Sequence, residues 1–150
     1  MAIHFTVAEF EARTEMLTRA LDAESLDGIL LFKQESMYYL TGYETFGFCF
    51  FQCLYVDLKG RKVLMTRAPD LRQAQHTSTL DDIRIWTDEA SSSPVVFLKN
   101  ILDDLGCRGQ HLGIELDSYG LTARNWGELE LELKAFCRLS DRSELVSRLR

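Results

Sequence analysis

Apolar and polar positions change period along this chain, and each change marks an element. Phe10, Leu17 and Leu21 recur at helical spacing behind Thr6-Val7-Ala8-Glu9. That tetrapeptide is a capping box: the threonine hydroxyl accepts from the backbone N–H three residues on, and the glutamate reaches back. Residues 7–23 therefore read as an amphipathic helix. Asp27-Gly28 is a turn, and the apolar run Ile29-Leu30-Leu31-Phe32 behind it reads as a buried strand. Ser36 to Leu40 predicts a short helix ending at Thr41-Gly42, with Gly42 in a positive-φ position that suits glycine. Phe48 to Asp57 and Lys62 to Thr66 read as two strands of a β-hairpin around the turn Asp57-Leu58-Lys59-Gly60.

The second half continues the alternation. Pro69 suits the first turn of a helix over 69–78, and Ile83 to Trp86 is a strand. Ser93 caps a helix with Pro94 at its first position; Val95, Leu98, Leu102 and Leu105 mark one face, and Gly106 stops it. His111 to Glu115 is a strand, residues 123–134 a helix and Phe136 to Leu139 a strand. Asp141-Arg142-Ser143-Glu144 reads as a second capping box, opening a helix to Arg150. Strands alternating with helices, with one hairpin inserted early, imply a single three-layer α/β/α domain with a mixed sheet. Leu145, Val146 and Leu149 form an apolar face still needing cover, and no Gly or Pro ends the helix. The expectation is a domain of a longer protein, continuing past residue 150.

Composition narrows the function. The 150 residues are 46% hydrophobic and 27% charged, ordinary for one globular core. Lys and Arg number 17 against 23 Asp and Glu, a net charge of −6 that disfavours nucleic acid as the partner. The N-terminus lacks a basic region, and Glu9 and Glu11 interrupt any apolar stretch, so it does not read as a secretory signal. The longest apolar run, Phe46 to Val56, contains Gln52 and is too short to span a bilayer. A cytoplasmic protein with no membrane partner is expected. The four cysteines form no C-x-x-C pair. Cys49 and Cys53, in even spacing within a strand-like segment, read as buried reduced thiols on one face.

Complete catalytic motifs are missing. His4, His76 and His111 fall in no metal-ligand spacing. Asp81-Asp82 and Asp103-Asp104 are neighbours that point in different directions, and read as solvated charges. Gly106, Gly109 and Gly113 lead from helix into strand, the reverse of a phosphate-binding turn. No G-x-S-x-G elbow occurs. The segment Tyr43-Glu44-Thr45-Phe46-Gly47-Phe48-Cys49-Phe50-Phe51 does stand out. Its loop 43–47 either exposes aromatic surface, as at an interface or ligand wall, or folds Phe46 back into the core.

Tyr38-Tyr39-Leu40-Thr41-Gly42-Tyr43, Gln52, Thr66-Arg67, Gly113-Ile114-Glu115 and Asp141 to Arg150, in that order and spacing, resemble the N-terminal domain of the creatinase/prolidase/aminopeptidase P group. The likeness runs from about Arg13 to Arg150. It implies a ribonuclease-H-like topology. It also implies a C-terminal pita-bread catalytic domain, absent from this chain, in which two Asp, one His and two Glu hold two divalent metals (Mn, Co or Zn) and the bond before proline is cleaved. No cofactor or catalytic residue is carried onto this chain. The resemblance places loop 43–48 near a neighbouring subunit's active site, with Tyr43, Glu44, Phe46 and Phe48 as substrate-pocket or subunit contacts. The implied partners are the chain's own catalytic domain, a second copy in a homodimer, and a peptide or small-molecule substrate.

The reading is thus the substrate-shaping and dimerisation domain of an Xaa-Pro dipeptidase or aminopeptidase, inactive alone. The run Y-E-T-F-G-F also resembles creatinase- and ectoine-hydrolase-like enzymes, so a non-peptide C–N hydrolase is an alternative. A peptidase-like binding module without metals is another. A ribonuclease-H-like nuclease ranks low, because Ile29 to Phe32 carries no carboxylate.

Overall fold

The computed structural model describes residues 3–87 and 93–150. Among the described residues, six strands form one sheet: β1 (Gly28–Leu31), β2 (Cys53–Asp57), β3 (Lys62–Arg67), β4 (Ile83–Trp86), β5 (His111–Ile114) and β6 (Arg138–Asp141). Their order is β4-β3-β2-β1-β5-β6. β2 pairs antiparallel with β1 and β3, while the β3–β4, β1–β5 and β5–β6 pairings are parallel. The helices are α1 (Val7–Ala23), α2 (Gln34–Thr41), α3 (Leu71–Thr77), α4 (Pro94–Asp104), α5 (Ala123–Leu133) and α6 (Leu145–Leu149).

Strand periodicity divides the core into two layers. Ile29, Leu31, Leu54, Val56 and Leu64 face α1, α2, α3 and α6, meeting Leu17, Leu21, Met37, Leu40, Ala74 and Val146. Leu30, Phe32, Cys53, Tyr55, Val63 and Met65 face α4 and α5, meeting Val95, Leu98, Leu102, Leu129 and Leu133. Because successive side chains point to opposite faces, a one-residue slip would exchange the two sets. Each buried aliphatic side chain contributes about 1.5–3 kcal/mol, so the layers fix the register.

The caps of α1 and α4 form as the sequence predicts. Thr6 accepts from Glu9 N–H while Glu9 reaches back to Thr6, and Ser93 accepts from Val95 N–H. Gly42 ends α2 at φ 82°, its N–H bonded to Tyr38 O at 2.8 Å.

Five details differ from the sequence reading. β2 begins at Cys53, because residues 47–50 turn instead of extending: Phe50 N–H donates to Gly47 O at 2.9 Å, and Gln52 Nε2 to the same carbonyl at 2.7 Å. Cys49 consequently lies exposed in that turn while Cys53 is buried, so the two thiols share no strand face. β6 starts at Arg138, because the N–H groups of Phe136 and Cys137 both return to Leu133 O and close α5 first. Before α6 the capping box does not form; Asp141 Oδ1 instead accepts from Ser143 N–H at 2.9 Å and from its hydroxyl. Pro69 sits in a short 3₁₀ turn, Ala68–Asp70, ahead of α3.

Candidate functional site: a cleft walled by an aromatic loop

A cleft of about 970 Å³ opens where α2 leaves β1 and the following segment leaves β5. Its walls include Lys33, Glu35 and Tyr38 from α2 and its approach, Glu44, Phe46 and Phe48 from the loop, and Asp117 and Tyr119 after β5.

The loop from Tyr43 to Gln52 is polar inside and apolar outside. Tyr43 is fully buried. Its hydroxyl donates to Gln52 Oε1 at 2.5 Å and lies 3.2 Å from Thr66 Oγ1, which itself donates to Gln52 Oε1 at 2.8 Å. Burial pushes the Tyr43 phenol up from its ordinary ionisation range, keeping it a neutral donor. Thr45 donates to Asp70 Oδ1 at 2.7 Å and accepts from Gly47 N–H at 2.8 Å. Arg67 Nε completes the anchor on Asp70 Oδ2 at 3.0 Å, and the same guanidinium lies 3.6 Å from the centre of the Phe50 ring. Gly47 makes this packing possible, since a Cβ there would stand 2.8 Å from both Asp70 carboxylate oxygens.

Held from within, the loop turns its rings to solvent. Phe46 is 90% exposed and Phe48 50%, which decides between the two sequence readings of Phe46 in favour of the surface. Phe48 meets Tyr119, itself 81% exposed, edge to face at 6.1 Å between centroids. The structure therefore brings Glu44, Phe46 and Phe48 together at the cleft, while Tyr43 is buried and supports the wall from beneath. Tyr119, Glu35 and Asp117 were not anticipated. The available signal was Gly120, whose absent side chain lets the backbone approach Phe50 O; a Cβ there would sit 2.8 Å from that oxygen.

The floor is fastened by Glu115, which is fully buried. One carboxylate oxygen accepts from Phe32 N–H at 3.0 Å and Lys33 N–H at 2.8 Å; the other accepts from the Ser36 hydroxyl. Burial pushes its pKa up to about 7, against the opposing pull of these donors and of the Lys33 charge. Lys33 itself donates to Ser143 O at 2.7 Å and lies 3.7 Å from Glu144.

Nucleophilic and metal chemistry find no assembled set here. His111 Nε2 lies 2.5 Å from Ser140 Oγ, but its Nδ1 faces Arg138 at 2.8 Å, where a serine–histidine triad needs a carboxylate. Among the described residues, no group of three or more His, Cys, Asp or Glu is placed to hold a metal ion. Also among them, no helix is long and apolar enough to cross a membrane.

A mixed sheet covered on both faces, with an open cleft walled by an anchored aromatic loop, defines the class. The creatinase/prolidase N-terminal domain family matches residues 13–150, and the chain belongs to it. An ectoine hydrolase from Halomonas elongata is 26% identical over 154 residues, covering 98% of this chain and 38% of that enzyme. The chain thus spans well under half the length of this relative. Among solved structures, an Xaa-Pro aminopeptidase from Streptococcus pyogenes superposes with a TM-score of 0.75 at 21% identity, covering 97% of this chain and 100% of that one. The N-terminal domain of the cytoplasmic peptidase PepQ from Mycobacterium tuberculosis gives 0.71 at 24% identity, covering 93% and 98%. These likenesses bear out the α/β fold with a mixed sheet, that of creatinase/prolidase N-terminal domains, expected from the sequence resemblance.

Proposed function

We propose that this chain is the substrate-shaping and dimerisation domain of a cytoplasmic metallohydrolase that cleaves Xaa-Pro bonds. In this reading the domain is not itself catalytic. The catalytic metals would be held by a C-terminal domain, as the family resemblance implies; among the described residues no group of three or more His, Cys, Asp or Glu is placed to hold a metal ion. The observation that carries the reading is the exposure of Phe46 and Phe48 on a loop whose backbone is locked by buried polar contacts. Folding gains nothing from a phenylalanine left in water, so an aromatic pair held there has its contact area free for a substrate or a neighbouring subunit. A non-peptide C–N hydrolase is the second reading, favoured by the match to ectoine hydrolase along 98% of the chain.

The test uses the full-length two-domain enzyme, assayed in parallel on Xaa-Pro dipeptides and on ectoine. Phe46→Ala should lower kcat/KM on the true substrate by roughly 5- to 150-fold, the loss of about 1–3 kcal/mol of contact in the transition state. The melting temperature should stay unchanged. Normal kinetics on both substrates would remove the loop from the site, and turnover of ectoine alone would select the second reading.

A further inference from the structure

The rings that line the cleft are accompanied by carboxylates. Glu44 stands two residues before Phe46 on the aromatic loop, and Asp117 two residues before Tyr119 on the segment after β5. Glu35, in the first turn of α2, lines the same space. All three are exposed, and among the described residues none of their carboxylates makes a salt bridge or accepts a hydrogen bond. The cations on the walls are Lys33 and Arg150. Lys33 is already engaged, with Ser143 O at 2.7 Å and Glu144 at 3.7 Å. The cleft therefore carries more free negative charge than positive.

We propose that this cleft receives the cationic end of the substrate, a guanidinium or ammonium group on an aliphatic stem, with the stem against Phe46, Phe48 and Tyr119 and the charge met by Glu44, Asp117 and Glu35. The inference rests on the reading of the cleft as a substrate pocket, and names the charge that pocket prefers.

The same loop already holds one guanidinium in this manner. Arg67 lies 3.6 Å from the centre of the Phe50 ring, while its Nε and an Nη each lie 3.0 Å from Asp70 Oδ2. A ring face attracts the cation through its quadrupole, and a carboxylate accepts its N–H groups. The cleft presents the same two kinds of group, with the rings of Phe46, Phe48 and Tyr119 exposed and the carboxylates unpaired. An acidic substrate end would meet charges of its own sign. A purely aliphatic end would strip water from the carboxylates and give them no partner in return. A cation satisfies both walls at once, and a concave acidic surface draws it in. The volume of about 970 Å³ leaves room for a long basic side chain. Because the carboxylates are exposed, each pairing is modest, about 1.5- to 5-fold in affinity.

The probes are N-acetyl-arginine amide and N-acetyl-norleucine amide, which differ in the charge of the side chain and share its aliphatic stem. In an NMR titration of the chain, the arginine derivative should shift the amides of residues 44–48 and 117–119 and bind more tightly than the norleucine derivative. Glu44→Gln and Asp117→Asn should each weaken it by about 1.5- to 5-fold, and the double variant by about 2- to 25-fold. High salt should shrink the preference. Glu15→Gln, which removes an exposed carboxylate on α1 beside Arg19, should leave it alone. In the full-length two-domain enzyme, kcat/KM should favour Arg-Pro over Leu-Pro, and the ratio should fall by the same factors in the two charge variants. Equal binding of the two derivatives, shifts that fall outside the cleft, or charge variants that leave affinity and ratio unchanged would each overturn the inference; if Phe46→Ala still lowers kcat/KM, the proposed function survives that result. Normal kinetics in Phe46→Ala would instead overturn the substrate-pocket reading, and the inference with it. Should the enzyme turn over neither dipeptide, the titration decides alone.

Discussion

Gly42 concentrates two separate costs in one missing methyl group. Its φ is +82°, and a Cβ built there would stand 2.8 Å from Thr77 O and 3.2 Å from the Phe10 ring. The conformational cost of an L-residue in this region is about 1–2 kcal/mol, reduced by roughly 0.4–1 kcal/mol because alanine stiffens the unfolded chain. The steric cost is additional and hard to relieve. The obstructing oxygen is backbone, and the strip around it is tied down by Thr79 N–H to Thr41 O at 2.9 Å and Glu44 N–H to Thr77 Oγ1 at 3.0 Å. Overpacking of this kind costs about 1–3 kcal/mol. Gly106 is the natural control, with φ +78° and nothing within 4 Å of the added carbon. Gly42→Ala should therefore lose roughly 2–4 kcal/mol and Gly106→Ala no more than about 1.5 kcal/mol. At about 2–4 °C per kcal/mol for a chain of this size, the first drop in Tm exceeds the second. Urea titration and thermal melting of the parent chain and both variants measure this. Equal losses, within about 0.5 kcal/mol, would refute a close approach at Gly42.

Gly47→Ala tests the anchor of the aromatic loop: its Cβ would press on both Asp70 oxygens and on Gln52 Nε2 at 2.8–2.9 Å, so a loss of about 1–3 kcal/mol in urea and faster exchange of the Phe50 amide are expected. Tyr43→Phe should cost only about 0.5–1.5 kcal/mol, because Thr66 still donates to Gln52, whereas Tyr43→Ala opens a cavity and should cost about 3–5 kcal/mol in the same titration. With its folded pKa raised to about 7, Glu115 contributes stability that is present below 4.5 and lost as pH rises through 7; relative to the parent chain, Glu115→Gln should gain about 2–3 kcal/mol between pH 5 and pH 8 in urea titrations.

Legibility in the sequence followed the range of the interactions responsible. Strands such as β1 and β3 were visible because their turns and apolar runs are local, and the caps at Thr6 and Ser93 lie within three residues of the N–H groups they accept from. Phe48 to Gln52 has the aromatic, β-prone composition of a strand, and what bends it lies elsewhere in the chain: the Gly47 contact with Asp70 and the Gly120 approach to Phe50 O. Tyr43 and Phe46 are indistinguishable as loop aromatics. Only the hydroxyl separates them, because Gln52 and Thr66 give it buried partners that Phe46 could not use. Glu115 ends an apolar strand in the sequence, and nothing local marks the Phe32 and Lys33 amides, more than 80 residues away, as its partners.

The cleft divides its labour between residues that fix geometry and residues that meet solvent. Tyr43, Gln52, Thr66, Asp70 and Arg67 are wholly or largely buried and commit their polar atoms to one another or to the loop backbone. Phe46, Phe48, Tyr119 and Glu44 make few demands on the fold and stand on a backbone already ordered. Ordering a loop at the moment of contact would cost about 0.5–1.5 kcal/mol for each immobilised rotamer-rich side chain, and here the buried anchor meets the backbone share of that cost during folding. Exposed rings can then be exchanged with little loss of stability, since surface substitutions of this kind stay within about 0.5 kcal/mol. The scaffold therefore allows the exposed rings of the cleft to change while the polar interior that positions them stays intact.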